Sequence, residues 1–428
     1  MQAQNKGVDI HLKRFLLYSF YMSNLDLKTL ATPCLHCLKP RCEAFCPCKN
    51  PIRDCLSLLK EGKEEAAAKL LYSNNPLPEL TSLLCDHARQ CTGHCIRGFK
   101  GEPVPFPTCE HELSIRFPRP YVKGAPNGKR VVFVGMGPAN ISCAFFLLEA
   151  GFEVTFYEKE SGIGGAIYKG IPAFRFDHAP LKKIEEDLVS LDAKIYYNVE
   201  IGKDIPLSTL EKEFDYVILG VGAEKENMAK LPEATGIVSG LSFLRDMNLN
   251  YEATEEGYLS RFSSPLVWGG GNVAMDCCRT AKRLFGKCTL IYRRSEVEMP
   301  AAKVEIEEAK EEGIDFLILQ NITEPIIANG VLKGVKCIKM ELGEKDESGR
   351  ASFHEIPGSE FSLDCDLLLP CLGEKPDMAS LDPSFVNMWD VENPRGNIYF
   401  NGDCKYGAKN IASAVTSGRE LAKTLISK

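Results

Sequence analysis

Seven cysteines before residue 100 are spaced for holding inorganic clusters. They fall in two groups, Cys34-x2-Cys37-x4-Cys42-x3-Cys46-Pro47 and Cys85-x5-Cys91-x3-Cys95. In such a run, a fourth cysteine standing before proline serves a second 4Fe–4S cluster. Two clusters need eight ligands, so one donor must come from outside the seven. Cys109 and Glu110 are the nearest suitable donors. Chain order puts Cys34, Cys37 and Cys42 on one cluster, and Cys46, Cys85, Cys91 and Cys95 on the other. Zinc prefers two Cys-x2-Cys pairs, or one pair with histidines, and fits these spacings poorly. Cys48 and Cys55 read as bystanders.

A second kind of chemistry lies in two glycine-rich turns. Gly135-Met136-Gly137-Pro138-Ala139-Asn140 follows a short β-branched run and opens a helical one. The first glycine allows a tight turn, and the second lets backbone approach a pyrophosphate at the helix N-terminus. Glu158 ends the next expected strand, where a carboxylate can accept from a ribose. Gly164-Gly165 suggests another close backbone approach. Asn140 stands where the pattern has a third glycine.

Gly269-Gly270-Gly271-Asn272-Val273-Ala274 repeats the arrangement, and its second strand ends in Tyr292-Arg293-Arg294. A carboxylate there would repel a 2′-phosphate, whereas arginine pairs with it bidentately, which points to NADPH rather than NADH. Two dinucleotide sites on one chain imply hydride transfer between a mobile nicotinamide and a resident flavin. Asn401-Gly402-Asp403, between a strand and a helix, could bind the flavin's ribityl chain.

The elements that must position these groups divide the chain. Nine of the 18 cysteines lie between Cys34 and Cys95, in a region that reads as helices and loops. Leu56 to Tyr72 has the composition of one helix, and the proline-rich passage Pro103 to Pro126 reads as a linker. Strand–turn–helix units follow: Arg130–Val134, Phe152–Tyr157 and Tyr216–Leu219, then Pro265–Trp268 and Thr289–Tyr292, and late in the chain Ile398–Phe400 before a helix around Ile411 to Ala422. The fold class is therefore α/β, with a helical iron–sulfur domain followed by two Rossmann-like domains, the second inserted in the first. Expected boundaries are 1–125 for the cluster domain, 126–236 with 364–428 for the FAD domain, and 237–363 for the NADPH domain. The strand Leu367 to Leu369 is expected to begin the return to the FAD domain.

The composition excludes other classes. The 428 residues carry a net charge of −7, and no basic run exceeds two residues, so no nucleic-acid surface is expected. No stretch is long and apolar enough for a membrane span. Phe15 to Met22 reads as an amphipathic helix rather than a signal peptide. A cysteine-rich chain of this length without an export signal belongs in a reducing, cytoplasmic setting. Cys277 and Cys278, adjacent on a helix, diverge by about 100° and are not expected to pair.

Taken together, these motifs, with Gly170-Ile171-Pro172-Ala173-Phe174-Arg175 and Met299-Pro300-Ala301, resemble the glutamate synthase small (beta) subunit family. They are also similar to the N-terminal half of dihydropyrimidine dehydrogenase. The resemblance runs from about residue 30 onward. It implies an NADPH-dependent FAD/iron–sulfur oxidoreductase that passes electrons through two 4Fe–4S clusters. FAD is implied at Gly135, Gly137, Pro138, Ala139, Glu158, Lys159, Gly165, Arg175, Gly222, Gly402, Asp403 and Ala412. NADPH is implied at Gly270, Gly271, Asn272, Val273, Ala274, Arg293 and Arg294. The odd ligand in that family is Glu or Gln, which implies Glu110, completing the set Cys34, Cys37 and Cys42. The implied partner is a large synthase or reductase subunit, or ferredoxin. A free-standing NADPH reductase is the second reading, and a non-catalytic assembly module the third. The sequence departs from the family at Asn140, at Asn401 where alanine is usual, and at Cys404.

Overall fold

The computed structural model describes residues 25–249, 251–345, 351–386, 388 and 391–428. The expected helix at Phe15 to Met22 lies outside them. The chain forms two compact units, one of residues up to 165 with 176–222 and 377–428, the other of 166–175 with 223–376.

The first unit begins with short helices. The single helix expected over Leu56 to Tyr72 is two, Ile52–Lys60 and Glu64–Tyr72. Gly62 between them has φ +73°, a left-handed conformation that stops a helix and costs glycine nothing sterically. The expected linker is corrected too, because Pro103 to Pro126 contains the helix Phe106–Arg116. Pro107 sits in its first turn, where a missing N–H is harmless, so proline here starts a helix instead of preventing one. That helix buries Cys109, Glu110 and Leu113 against Pro78–Leu84.

Among the described residues fifteen strands follow: β1 (Arg130–Val134), β2 (Glu153–Glu158), β3 (Lys194–Tyr197), β4 (Tyr216–Leu219), β5 (Lys225–Glu226), β6 (Pro265–Trp268), β7 (Thr289–Tyr292), β8 (Asp315–Ile318), β9 (Gln320–Ala328), β10 (Val331–Lys345), β11 (Ala351–Glu355), β12 (Phe361–Asp364), β13 (Leu367–Pro370), β14 (Glu374–Lys375) and β15 (Ile398–Phe400). The first unit holds a parallel sheet in the order β15-β4-β1-β2-β3. Its central strands are apolar on both faces, as parallel strands covered by helices must be. The helices Pro138–Glu149 and Ile411–Ile426 pack closely on each other. Gly418 permits this, since a side chain there would collide with Ala139 O.

The second unit has a parallel sheet, β13-β6-β7-β8, an antiparallel sheet of β9 to β12, and the ribbon β5–β14. The expected return to the first domain at 364 is therefore corrected. β13 pairs in parallel with β6 inside the second unit, and the chain rejoins the first sheet only at β15. All four residues of β13 are buried, a pattern that suits an inner strand of either sheet, so its burial pattern does not say which one. The antiparallel insert was not read from the sequence.

Candidate cluster and nucleotide sites

The cysteines line two adjoining cavities in the first unit. One is lined by Cys34, Cys37, Cys42, Cys91 and Cys95, the other by Cys46, Cys48, Cys85, Cys91 and Glu110. Ile52, Cys91 and Phe106 border both. The charged neighbours of the shared thiol, Cys91, lie in the second cavity. Burial pushes Cys91 up, and its charged neighbours are Glu110 and Cys46. Cys85 likewise faces Glu110, Cys46 and Cys91. Cys42 is pushed up to about 12 by burial, with Cys95 and Cys34 among its neighbours.

The cavity linings group these side chains differently from the chain-order expectation. Cys95 joins Cys34, Cys37 and Cys42, while Glu110 joins Cys46, Cys85 and Cys91. The cause is local. A single 3-10 turn, Thr92–His94, separates Cys91 from Cys95 and lets the two thiols serve different cavities.

Glu110 is fixed by residues the motif search missed. Its Oε1 accepts from Asn50 Nδ2 (3.0 Å), Asn75 Nδ2 (3.1 Å) and Thr81 Oγ1 (2.8 Å). Burial still raises its carboxyl to about 7 against these three donors. With Oε1 saturated, Oε2 is the oxygen left for a ligand. Cys109 lines neither cavity; its thiol is pushed up by burial with Glu112 and Arg116 nearby. Eight soft or anionic donors in two enclosed sets of four fit two 4Fe–4S clusters. Among the described residues no three such side chains converge on a single-ion site. Cys48, expected as a bystander, also borders the second cavity, and its thiol donates to Ala412 O at 3.4 Å. Thr416 Oγ1 donates to Pro47 O (2.8 Å), and Arg419 Nη1 to Cys48 O (2.9 Å), so the helix Ile411–Ile426 clamps the cluster loop.

The first glycine turn has the geometry its sequence requires. Gly135 has φ +89° and lies against Gly220 O. Gly137 caps the helix that Pro138 opens. Glu158 is buried under the turn, Oε2 accepting from Met136 N (2.6 Å) and Oε1 from Glu160 N (2.9 Å). Lys159 beside it is exposed. A Cβ on Gly165 would lie 3.1 Å from Gly137 Cα, so the expected second backbone approach is made to this turn. Gly402 has φ +67° and abuts Ala139, which brings Asp403 to the same place. Burial raises the Asp403 carboxyl to about 6 against the pull of Lys409. Gly222 has φ +75° with open space around it. These residues leave a glycine-lined approach to a helix N-terminus with carboxylates at its edges, which fits a dinucleotide.

Asn140 is held by a network. Its Nδ2 donates to Val134 O (3.1 Å) and Gly135 O (2.9 Å). Asn401 Nδ2 donates to Asn140 Oδ1, Ser417 Oγ to Asn401 Oδ1 (2.8 Å), and Gly402 N to Ser417 Oγ (2.9 Å). Cys404 is buried, its Sγ 2.8 Å from Leu219 O.

Arg175, expected at the flavin, makes ion pairs here. It belongs to the second unit, where it pairs with Asp276 and Glu305, each at 2.7 Å.

In the second unit, Gly271 caps the helix Asn272–Phe285, and Gly270 packs on the Tyr292 ring. Asn272 Oδ1 accepts from Ala302 N (2.9 Å), tying the Met299–Ala301 loop to the turn, while Ala274 is buried. Arg293 and Arg294 stand at the end of β7 over the Phe353 ring of β11, at 4.3 and 4.7 Å. Arg294 Nε also donates to Ala351 O (3.0 Å). Phe353 carries no motif that would have flagged it.

Comparisons with known proteins match this division. The family model "Pyridine nucleotide-disulphide oxidoreductase" matches residues 129–419, and "Dihydropyrimidine dehydrogenase domain II, 4Fe-4S cluster" matches 12–112. The glutamate synthase [NADPH] small chain of Escherichia coli (strain K12) is 31% identical, covering 92% of this chain and 90% of that one. The NADPH-Fe(3+) oxidoreductase subunit beta of Geobacter sulfurreducens is 34% identical over 82% of this chain, which spans 53% of that protein. Among solved structures, Mycobacterium tuberculosis FprA in complex with NADPH aligns with a TM-score of 0.59 at 18% identity, over 70% of this chain and 84% of that one. That likeness concerns the fold.

Proposed function

This chain belongs to the pyridine nucleotide-disulphide oxidoreductase family, and on that premise we propose how it works as an NADPH-dependent FAD/iron–sulfur oxidoreductase. When bound, FAD accepts hydride from NADPH and releases single electrons to 4Fe–4S clusters. The chain's own residues bind and orient. Gly135, Gly137 and Gly165 admit the FAD pyrophosphate, Glu158 the ribose, and Gly402 and Asp403 the ribityl side. Gly270, Gly271 and Ala274 admit NADPH, with Arg293 and Arg294 on its 2′-phosphate. Cys34, Cys37, Cys42 and Cys95 hold one cluster; Cys46, Cys85, Cys91 and Glu110 hold the other.

One observation carries this reading. Ala412, just after Gly402-Asp403 in the flavin set, also lines the second cysteine cavity. With Ala412 assigned to the flavin as the resemblance implies, the proposed flavin and cluster sites would share a wall within one unit, as electron transfer needs.

The chain is read as the electron-input subunit of a larger enzyme, on its likeness to the glutamate synthase small chain. The alternative is a free-standing NADPH reductase of ferredoxin or small acceptors. Among the described residues no helix is long and apolar enough to cross a membrane, and we place the protein in the cytoplasm because a chain of this length with 18 cysteines, seven of them proposed as cluster ligands, suits a reducing compartment. Anaerobic NADPH titration tests the reading. More than two electrons taken up per chain is expected; a limit of two would overturn it. A larger co-purifying chain would identify the input subunit.

A further inference from the structure

We propose that Cys277 and Cys371 form a dithiol that peroxide closes to a disulfide, and that this closure weakens NADPH binding at the second glycine turn. The nucleotide effect rests on the function proposed above; the bond itself does not.

The two sulfurs are in contact. Cys371 Sγ lies 3.7 Å from Cys277 Sγ, across 94 positions of sequence. Cys277 is fully buried on the helix Asn272–Phe285, and Cys371, just after β13, is half-buried. Cys278 points elsewhere, its thiol donating to Met275 O at 3.3 Å. Space for the pair comes from Gly240, the first residue of the helix Gly240–Leu249. A Cβ there would stand 2.5 Å from Cys371 Sγ and 3.2 Å from Cys277 Sγ. Cys277 Sγ also donates to Gly240 O at 3.4 Å. One reachable thiol with a second resting against it is the arrangement in which a first oxidation resolves as a disulfide.

The chemistry runs in two steps. The O–O bond of peroxide breaks on Cys371 Sγ, giving a sulfenic acid and water. Cys277 Sγ then attacks that sulfur. The S–O bond breaks, an S–S bond forms, and the Cys277 proton leaves with the oxygen as a second water. Two thiols are oxidised and one peroxide is reduced to two waters. Burial pushes the Cys277 thiol well up, so it stays protonated until Cys371 has been oxidised. Dioxygen that intercepts the electrons supplies the peroxide: NADPH, a proton and O2 give NADP+ and H2O2.

Closure reaches the nucleotide turn through backbone. A disulfide holds its sulfurs at about 2.0 Å, so Cys371 must be drawn towards the helix. Its N–H donates to Trp268 O at 2.8 Å, and its carbonyl packs so closely on Gly269 that no side chain fits there. Gly269 opens the turn whose next two glycines receive NADPH in the proposed site. Peroxide made from misdirected electrons would thus restrain the entry of further NADPH.

The test treats the anaerobic holoprotein with stoichiometric hydrogen peroxide, alkylates the remaining thiols and maps cross-linked peptides by mass spectrometry. Flavin reduction by NADPH is followed before and after. A Cys277–Cys371 peptide is expected, with the half-saturating NADPH concentration raised about tenfold, the cost of a small misplacement at a binding turn. Dithiothreitol should reverse both. Cys371→Ser should form no such peptide and keep its NADPH dependence through the treatment, with wild-type iron content. Cys277→Ala is the second variant, and it should stop Cys371 at the sulfenic acid, which dimedone traps. A cross-link from Cys371 to Cys278 or Cys288, or none at all, overturns the proposal, as does a Cys277–Cys371 disulfide that leaves the NADPH dependence unchanged. If the bond forms but NADPH does not reduce the flavin of the untreated protein, the parent reading falls, and the nucleotide effect with it, while the disulfide stands.

Discussion

Asn401 donates its side-chain amide to Asn140 Oδ1 at 3.0 Å. These two residues are departures from the family pattern, in turns 261 positions apart, and they complete each other. Asn140 fills the place of the third glycine by sending Nδ2 back to the carbonyls of β1 and the glycine turn. Its Oδ1 would then be a buried acceptor in need of a donor, which Asn401 supplies. The first glycine turn and the Gly402-Asp403 loop are thus latched together where the flavin is to bind.

Removing either half of the latch should cost more than removing both. Asn140→Ala and Asn401→Ala each leave a buried polar group unpaired, at about 1–3 kcal/mol. The double variant Asn140→Ala with Asn401→Ala should lie nearer the wild type than the sum of the single losses. Denaturant melts of the four proteins, followed by release of flavin fluorescence, measure the coupling; additive losses would deny it.

Cluster grouping gives a pattern of iron loss. Cys95→Ser should remove the same cluster as Cys34→Ser, and Glu110→Ala should weaken the one held by Cys46. Combining Cys95→Ser with Cys34→Ser should then cost no more iron than either alone. Combining it with Glu110→Ala should deplete both clusters. Iron and sulfide assays with low-temperature EPR of the reduced proteins decide the matter, and chain-order grouping predicts the opposite pairing.

Nucleotide preference should follow the Phe353 ring as well as the arginines. Arg293→Ala is expected to raise KM for NADPH by about 10–100-fold and to leave NADH nearly unchanged, the loss of one charge-assisted contact. Phe353→Ala, which frees both guanidinium groups, should shift the same ratio by about 3–10-fold. Phe353→Tyr should keep it. Steady-state rates with both nucleotides are sufficient, and an equal loss with NADPH and NADH would remove the assignment.

Stability should fall as pH rises towards neutrality, because of Asp276. Burial raises its carboxyl to about 7, Arg175 opposing and Glu305 reinforcing the shift. Its Oδ1 is buried without a partner, which a proton would satisfy. A raised carboxyl makes the folded state bind more protons than the unfolded state between about pH 4 and pH 7. Unfolding free energy therefore drops across that window, by up to about 1.4 kcal/mol per pH unit, and levels off above it. Denaturant melts from about pH 5.5 to 8 should show the slope, and Asp276→Asn should flatten it.

Local signals made much of the fold legible. β1, β4, β6, β7 and β15 lie where short apolar runs ending at glycine turns or the Arg293-Arg294 pair place them, since strand, turn and helix start are encoded within a few residues. Glu158 and Gly165 reached the first turn as their spacing demands. What escaped depends on distant packing. Nothing around Cys95 says that one 3-10 turn sends it to the other cluster, and nothing around β13 tells which sheet it joins. Arg175 was expected at the flavin from the resemblance of its motif, and nothing in that motif shows that two buried carboxylates of the second unit pair with it. Phe353 matters only because β11 folds beneath β7's end.

The Cys48–Ala412 contact spans 364 positions, and this has a bearing on biogenesis. A ribosome delivers every cluster cysteine long before the helix Ile411–Ile426 exists. The bonds that Thr416 and Arg419 send to the loop after Cys46 can form only when synthesis is nearly complete, so the second cavity gains its last wall from one late helix.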